Sequence, residues 1–398
     1  MSKEPMSTYG DEFKEIGHCG GQFTVNVKTG QDSRRTIQFG IRHSRPTPAA
    51  FFAIYALPQG IPIGTMEIGG MGNEGNPAPT SDSCPVFIAS DSLGMFGHRC
   101  PKCGGYWRSD GAPTRWRMTC PYCGLRTQTH NFLTEGQLRY VEACCNLIKQ
   151  AMKSDRDGEP VIDMDEVAEA VGKNCEKPKF YYAEESHQNK FNCIACGLFN
   201  DILGRYGYCS SCGTYNGLRE LESDVAGIRE RIRAGQQYEI CSKDIVTTFD
   251  SFARQVAKQL TKRIPMTPAR RHEWEQKLFH NLRPCAEALA TIFDIAPFKD
   301  LKQNDIDFAV LMFHRRHVYE HNGGEVDEKY IRDSGDSSVR PKQLIRESFE
   351  TASRIAGLVL RMAQNIHNGF HAIFPPEEKP IRLQREHIDR LNQSKDNP

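Results

Sequence analysis

The 398-residue chain lacks any run of about 20 apolar residues, so no segment reads as a membrane-spanning helix. Its first stretch, MSKEPMSTYGDEFKE, lacks the apolar centre of a secretory leader, and no signal peptide is expected. The chain also lacks an excess of charge of either sign: 51 Lys and Arg stand against 50 Asp and Glu. A globally basic nucleic-acid binder is excluded, and any nucleic-acid footprint must be a local patch. No internal repeat is visible beyond two pairs of cysteine motifs. These absences, with 38% hydrophobic and 25% charged residues, describe a cytoplasmic globular chain with no membrane partner. At roughly 100–200 residues per domain, two to four domains are expected.

Cysteine, by contrast, is abundant at fifteen residues. Eight fall into four Cys-x-x-Cys-Gly knuckles. Cys100/Cys103 and Cys120/Cys123 are separated by 16 residues, and Cys193/Cys196 and Cys209/Cys212 by 12. Two knuckles on a short hairpin bring four thiolates into a tetrahedron, the closed structural site that Zn²⁺ accepts. The glycine after each second cysteine allows the positive φ needed to wrap the sulfur. Two Zn²⁺ per chain are expected, and a shell of four thiolates leaves no open position for zinc catalysis. The remaining seven, Cys19, Cys84, Cys144, Cys145, Cys175, Cys241 and Cys285, read as buried apolar side chains in a reducing compartment.

The first knuckle pair carries a second signal. From Arg99 to Arg126 there are six Arg or Lys and one Asp, interleaved with Tyr106, Trp107 and Trp116. Arginines interleaved with aromatics suit phosphate contact and base stacking. Arg115, Trp116, Arg117 and Trp107 are the candidate nucleic-acid contacts. The alternative is that the tryptophans pack the ribbon's thin core. The second pair is less basic and reads as structural or bridging.

The fold class expected is a multidomain α+β chain. Residues 1–21 read as a tail and 22–95 as a small antiparallel β domain, from QFTVNV, TIQFGIRH, AAFFAIYAL, PIGTMEI and CPVFIAS between Gly/Pro-rich turns. Zinc ribbons follow at 96–132 and 190–220, separated by a helical linker region at 133–189. That region opens on Thr134 and Gln137 as a capping box, with Leu138, Val141, Cys145, Ile148 and Met152 on one face. Residues 241–370 read as an all-α bundle of four amphipathic helices, and 371–398 as a frayed polar tail. Ile245, Phe249, Phe252, Val256 and Leu260 form the first stripe. Thr267-Pro268 opens the second helix, whose stripe of Trp274, Leu278 and Leu282 is expected to kink at Pro284. Ile306, Val310 and Phe313 form the third stripe. The fourth helix is expected from about Pro341 to His367, with Ile345 and Phe349 on its stripe.

The third helix ends in HRRHVYEHNGG, His314 to Gly324, which packs two arginines, three histidines and a glutamate ahead of a helix stop. Within it, Arg316-His317-Val318-Tyr319-Glu320-His321 resembles the hallmark of the HEPN domains (higher eukaryotes and prokaryotes nucleotide-binding). In that family an arginine and a polar residue are followed, after three residues, by histidine. NGGEVDEKYI is similar to the segment that follows the hallmark in many members, and the resemblance covers about residues 241–370. It implies a helical bundle, a metal-independent endoribonuclease, a homodimer whose paired motifs build one cleft, and a role in stress or anti-phage defence as a toxin-like effector. The residue chemistry agrees with an RNA partner. Histidine moves protons near neutral pH, and arginine stabilises charge on a crowded phosphorane. His321 is the candidate acid or base and Arg316 the charge stabiliser. His317 orients His321 or lines the site, and Asn322 either binds phosphate or caps the helix. An ideal helix puts Arg316 and His321 about 140° apart, so a single face does not hold both. The competing readings are an Arg316–Glu320 ion pair, a core His317, a capping His321, and a non-catalytic bundle that serves only to dimerise a nucleic-acid-binding or regulatory protein.

Overall fold

The structure, a computed structural model, describes residues 19–66, 79–110, 117–154, 156–164, 166–167, 189–277 and 279–396. The chain divides into two compact units, Met1–Gly213 with Glu377–Pro398, and Thr214–Pro376.

The first unit is mostly antiparallel sheet. Strands β1 (Gly21–Thr29) and β2 (Arg35–His43) form a hairpin, and β10 (Val161–Asp163) pairs with the other edge of β1. A second three-stranded sheet has the order β4 (Pro62–Met66), β3 (Phe51–Ala56), β5 (Cys84–Ala89). Alternation buries Phe23, Val25 and Val27 from β1 in one core with Phe52, Ile54, Val86 and Ile88. Helix α1 (Glu135–Lys153) closes that core, and its Thr134–Gln137 capping box forms as expected. The region 133–189 is therefore no mere linker at its start: α1 is part of the β domain's core. Its buried face is Gln137, Tyr140, Val141, Cys144, Cys145, Ile148 and Ala151. Leu138 and Met152, expected inside, are 40% and 60% exposed. Each is about 100° round the helix from the buried residue beside it. The apolar stripe was thus legible but its centre was displaced by one residue.

The two cysteine ribbons are one structure. Strands β6 (Met95–Arg99) and β7 (Tyr106–Asp110) from the first join β12 (Phe199–Ile202) and β11 (Asn189–Asn192) from the second in a sheet ordered β11-β12-β7-β6. The short hairpin β8 (Met118–Thr119) and β9 (Arg126–Thr127) carries the second knuckle, Cys120 and Cys123, between its strands. Where β7 meets β12, the fully buried Arg108 donates to Asp91 at 2.6 Å and to Asp201 at 3.1 Å. The C-terminal segment, expected to fray, forms helix α9 (Glu378–Asp396). Glu377 N–H donates to the Cys212 carbonyl at 2.7 Å, and Ile381 packs on the second cysteine cluster.

The second unit is helical: α2 (Gly217–Arg233), α3 (Tyr238–Arg263), α4 (Pro268–Glu275), α5 (Leu282–Phe293), α6 (Gln303–His321), α7 (Glu328–Ser334) and α8 (Phe349–Ile373). The α3 stripe Ile245, Phe249, Phe252, Val256 and Leu260 is buried as its spacing requires. Thr267 caps α4 with Pro268 in its first turn. The expected kink at Pro284 is instead a break that falls earlier, after Glu275. Pro284 then sits in the first turn of α5, where a missing N–H is harmless. The last long helix starts later than its apolar pattern suggested, because Ser348 and Thr351 form a capping box at Phe349. Phe349 is consequently 44% exposed, and Ile355, Val359, Met362 and Ile366 fill the core.

Candidate functional site

Two kinds of site emerge, each within one unit. In the first unit the four knuckles repeat one local design. Gly104, Gly124, Gly197 and Gly213 all take φ near +70°, and each N–H returns to the carbonyl of its knuckle's first cysteine. The sulfurs of Cys100, Cys103, Cys120 and Cys123 converge, as do those of Cys193, Cys196, Cys209 and Cys212, with each set lying within 4.8 Å. Sγ separations are 3.6 Å for Cys100–Cys123, 3.7 Å for Cys103–Cys120, 3.6 Å for Cys193–Cys212 and 3.5 Å for Cys196–Cys209. A tetrahedral ion with metal–sulfur bonds of about 2.3 Å puts its sulfurs roughly 3.8 Å apart, so the donor sets fit a metal ion each. The second cluster is wholly buried, and the Asn200 side-chain amide approaches Cys209 Sγ at 3.6 Å, an outer partner of the kind that orients metal thiolates. Six other cysteines among the described residues are buried, and burial pushes Cys145 up to about 12 and Cys285 up to about 11, which suits inert packing thiols. Cys175 lies outside the described residues.

The basic stretch of the first ribbon is less available than its sequence suggested. Trp107 is fully buried, edge-on to Phe132 at 5.1 Å and beside His98 at 5.3 Å. It is a core residue, which corrects the expectation that it stacks on bases. Arg108 is locked between two carboxylates, and Arg126 donates to the Cys212 carbonyl at 2.8 Å. Arg99, Lys102 and Arg117 remain exposed. Arg115 and Trp116 lie outside the described residues.

In the second unit, the end of α6 sorts its charged residues into two roles. Arg315 turns inward. It donates to Glu347 at 3.1 Å and to Asp336 at 3.0 Å, while the Tyr319 and Tyr330 hydroxyls donate to the same two carboxylates. Arg316, its neighbour, is half-buried, has no carboxylate partner among the described residues, and keeps its Nε buried without a hydrogen bond. Glu320, four residues on, pairs instead with Lys243 at 3.6 Å. His317 and His321 are both exposed, with rings 4.5 Å apart. The histidine cluster is therefore on the surface rather than on the core face. Partial burial lowers the proton affinity of His317, and the neighbouring His321, Lys329 and Arg316 lower it further against the pull of Asp327. Asn322 is the helix C-cap, and its amide donates to Asp327 at 2.9 Å. Gly323 and Gly324 then take positive φ, and Gly324 N–H returns to the Val318 carbonyl. The helix runs through His321 and ends there, so the histidine stays on the helix rather than swinging free.

Sequence reasoning missed three residues, Asp250, Arg254 and His280, the last of which feels the charge of Arg316. Asp250 and Arg254 of α3 form a one-turn pair at 2.9 Å, and Asp250 Oδ1 stands 3.9 Å from His280 Nδ1. His280 lies in the break between α4 and α5. No local spacing links positions 250, 280 and 316; only helix packing brings them together.

Comparison with family models, with curated proteins and with solved structures finds no match to this chain.

Proposed function

We propose that the helical unit is an HEPN-type, metal-independent endoribonuclease that acts as a homodimer, and that the cysteine centres hold structural Zn²⁺ in a region that recognises RNA or restrains the nuclease. The observation that carries the nuclease reading is the contrast between Arg315 and Arg316. Arg315 has its positive charge matched by two carboxylates. Arg316, one residue on, offers a guanidinium with no carboxylate partner among the described residues, close enough for its charge to act on the exposed His317, whose ring meets that of His321. An unmatched, half-buried arginine is suited to an anionic ligand, and its planar fork fits two phosphate oxygens.

In the reaction, the RNA's own 2′-hydroxyl oxygen attacks the adjacent phosphorus and the bond to the 5′-oxygen breaks. Arg316 stabilises the charge that builds on the non-bridging oxygens. His321 transfers a proton to or from the reacting oxygens, and His317 holds its ring in place by contact. Asn322 contributes by ending the helix at this point. The Zn²⁺ ions, when bound, close the ribbon folds; all the proton and charge chemistry belongs to the helical unit.

The reading is tested with single-stranded RNA and the folded, zinc-loaded protein. Cleavage is expected to persist in chelator and to leave 2′,3′-cyclic phosphate or its opened 3′-phosphate. An all-DNA strand, lacking the 2′-hydroxyl, should survive. RNA that binds but is never cut supports a non-catalytic binding module instead.

A further inference from the structure

Cleavage by 2′-hydroxyl attack needs two proton transfers, one from the attacking oxygen and one to the departing oxygen. The Arg316–His317–His321 motif supplies one clear donor, and neither imidazole is hydrogen-bonded to a carboxylate among the described residues; Asp327 acts on His317 only through its charge. The missing partner stands on other elements. Asp250 Oδ2 accepts from Arg254, but its Oδ1 is buried with no hydrogen-bond partner among the described residues and faces His280 Nδ1 at 3.9 Å. That separation is one small side-chain rotation from a hydrogen bond, and such contacts commonly tighten only when substrate binds. His280 is partly buried, and Arg316 and His317 from α6 lie close enough for their charges to act on it. The arrangement is a carboxylate from α3 facing an imidazole from the α4–α5 break, with the Arg316 guanidinium of α6 near enough for its charge to act on that imidazole.

We propose that His280, with Nδ1 held by Asp250, is the general base of the Arg316 site and takes the 2′-hydroxyl proton of single-stranded RNA at Nε2. This rests on the nuclease reading above. The 2′-oxygen then attacks phosphorus, the bond to the 5′-oxygen breaks, and that oxygen takes a proton from His321. His280 ends protonated and His321 neutral, and solvent restores both once the cyclic phosphate leaves. Asp250 is a positioning residue: it selects the tautomer that leaves Nε2 free and stabilises the imidazolium that forms. The groups facing His280 are Asp250 and Arg254 from α3 and Arg316 and His317 from α6. Burial, joined by the charges of Arg316 and Arg254, outweighs Asp250 and lowers the imidazole's proton affinity, which favours the neutral form that a base needs.

The test uses the full-length protein and two substrates, an RNA dinucleotide and a nucleoside 3′-(p-nitrophenyl) phosphodiester whose leaving group needs no proton. His280→Ala should lose ~10²–10⁴-fold on both substrates, and added imidazole should restore part of the rate. His321→Ala should lose a similar factor on the dinucleotide alone. Asp250→Asn should lower kcat with little change in KM. Melting curves of His280→Ala and the better-filled His280→Gln identify a folding defect. Unimpaired cleavage by folded His280→Ala overturns the inference while leaving the nuclease intact. So does recovery of His280→Ala on the nitrophenyl ester, or a loss that imidazole does not touch. A wild-type protein that cleaves neither substrate overturns the nuclease reading and this inference together.

Discussion

At the scale of single residues, the two adjacent arginines divide structure from chemistry. Removing Arg315 leaves Asp336 and Glu347 buried without their cation, a kind of change that costs about 3–5 kcal/mol. Arg315→Ala should therefore lower the melting temperature sharply, whereas Arg316→Ala should leave it nearly unchanged; thermal denaturation of the pair checks both. Asp336 adds a pH signature. Burial alone would raise its pKa, but hydrogen bonds from Ser338, Tyr330 and Arg315 outweigh burial and hold it at about 2, below its ordinary 3.8. A depressed carboxylate stabilises the fold above its unfolded pKa, and that contribution disappears as pH falls from about 4 to about 2. Denaturant unfolding across that window should show the loss, and Asp336→Asn should flatten it. In the sequence only the hallmark resemblance set Arg316 apart, and no local pattern marked Arg315 as the one that turns inward. A step of about 100° round the helix decides which one turns inward, and the carboxylates that receive it lie 21 and 32 residues away.

At the scale of elements, strand β7 is the joint between the two ribbons. Its Arg108 is buried with Asp91 and Asp201, and burial raises Asp91 even as Arg108 opposes it. Arg108→Met, which fills similar space without charge, leaves two carboxylates facing each other and should destabilise the ribbon sheet by about 3–5 kcal/mol. Adding Asp91→Asn should return part of that loss, read as a coupling energy in a double-mutant cycle. Most elements were legible from the sequence because their signals are local: the knuckles from cysteine spacing, α1 and α4 from their caps, and α3 from apolar periodicity; α6 was legible as a helix, but of its expected stripe only Phe313 is buried, beside Ala309, Met312 and Val318. The joint was not, because β7 pairs with β12, some ninety residues on, and no short-range pattern encodes that register. Helix α2 was missed for a different reason. Leu218, Leu221, Val225, Ile228 and Ile232 recur at helical spacing, but among many charged residues the stripe was read past. Helix α9 looked like tail because its apolar residues are few, and Ile381 gains its meaning from the cysteine cluster it covers.

At the scale of the whole molecule, the chain couples two four-cysteine centres, among its described residues, to a helical unit that ends one helix in an Arg/His cluster. No described helix is long and apolar enough to cross a membrane. Metal analysis should find about two Zn²⁺ per chain, and Cys103→Ser or Cys196→Ser should each remove one and unfold its ribbon, since binding of a structural zinc is itself folding free energy. A cleft composed by two chains predicts that an Arg316→Ala chain mixed with a His321→Ala chain regains some cleavage, whereas sites complete within one chain regain none. The measurement that bears most directly on the central claim is RNA cleavage by the Arg316→Ala/His321→Ala double variant, made alongside its melting curve. The account predicts a folded protein of unchanged melting temperature that leaves RNA uncut, against a wild type that yields 2′,3′-cyclic phosphate ends. A double variant that still cleaves RNA at the wild-type rate, or that loses activity only by unfolding, would contradict it.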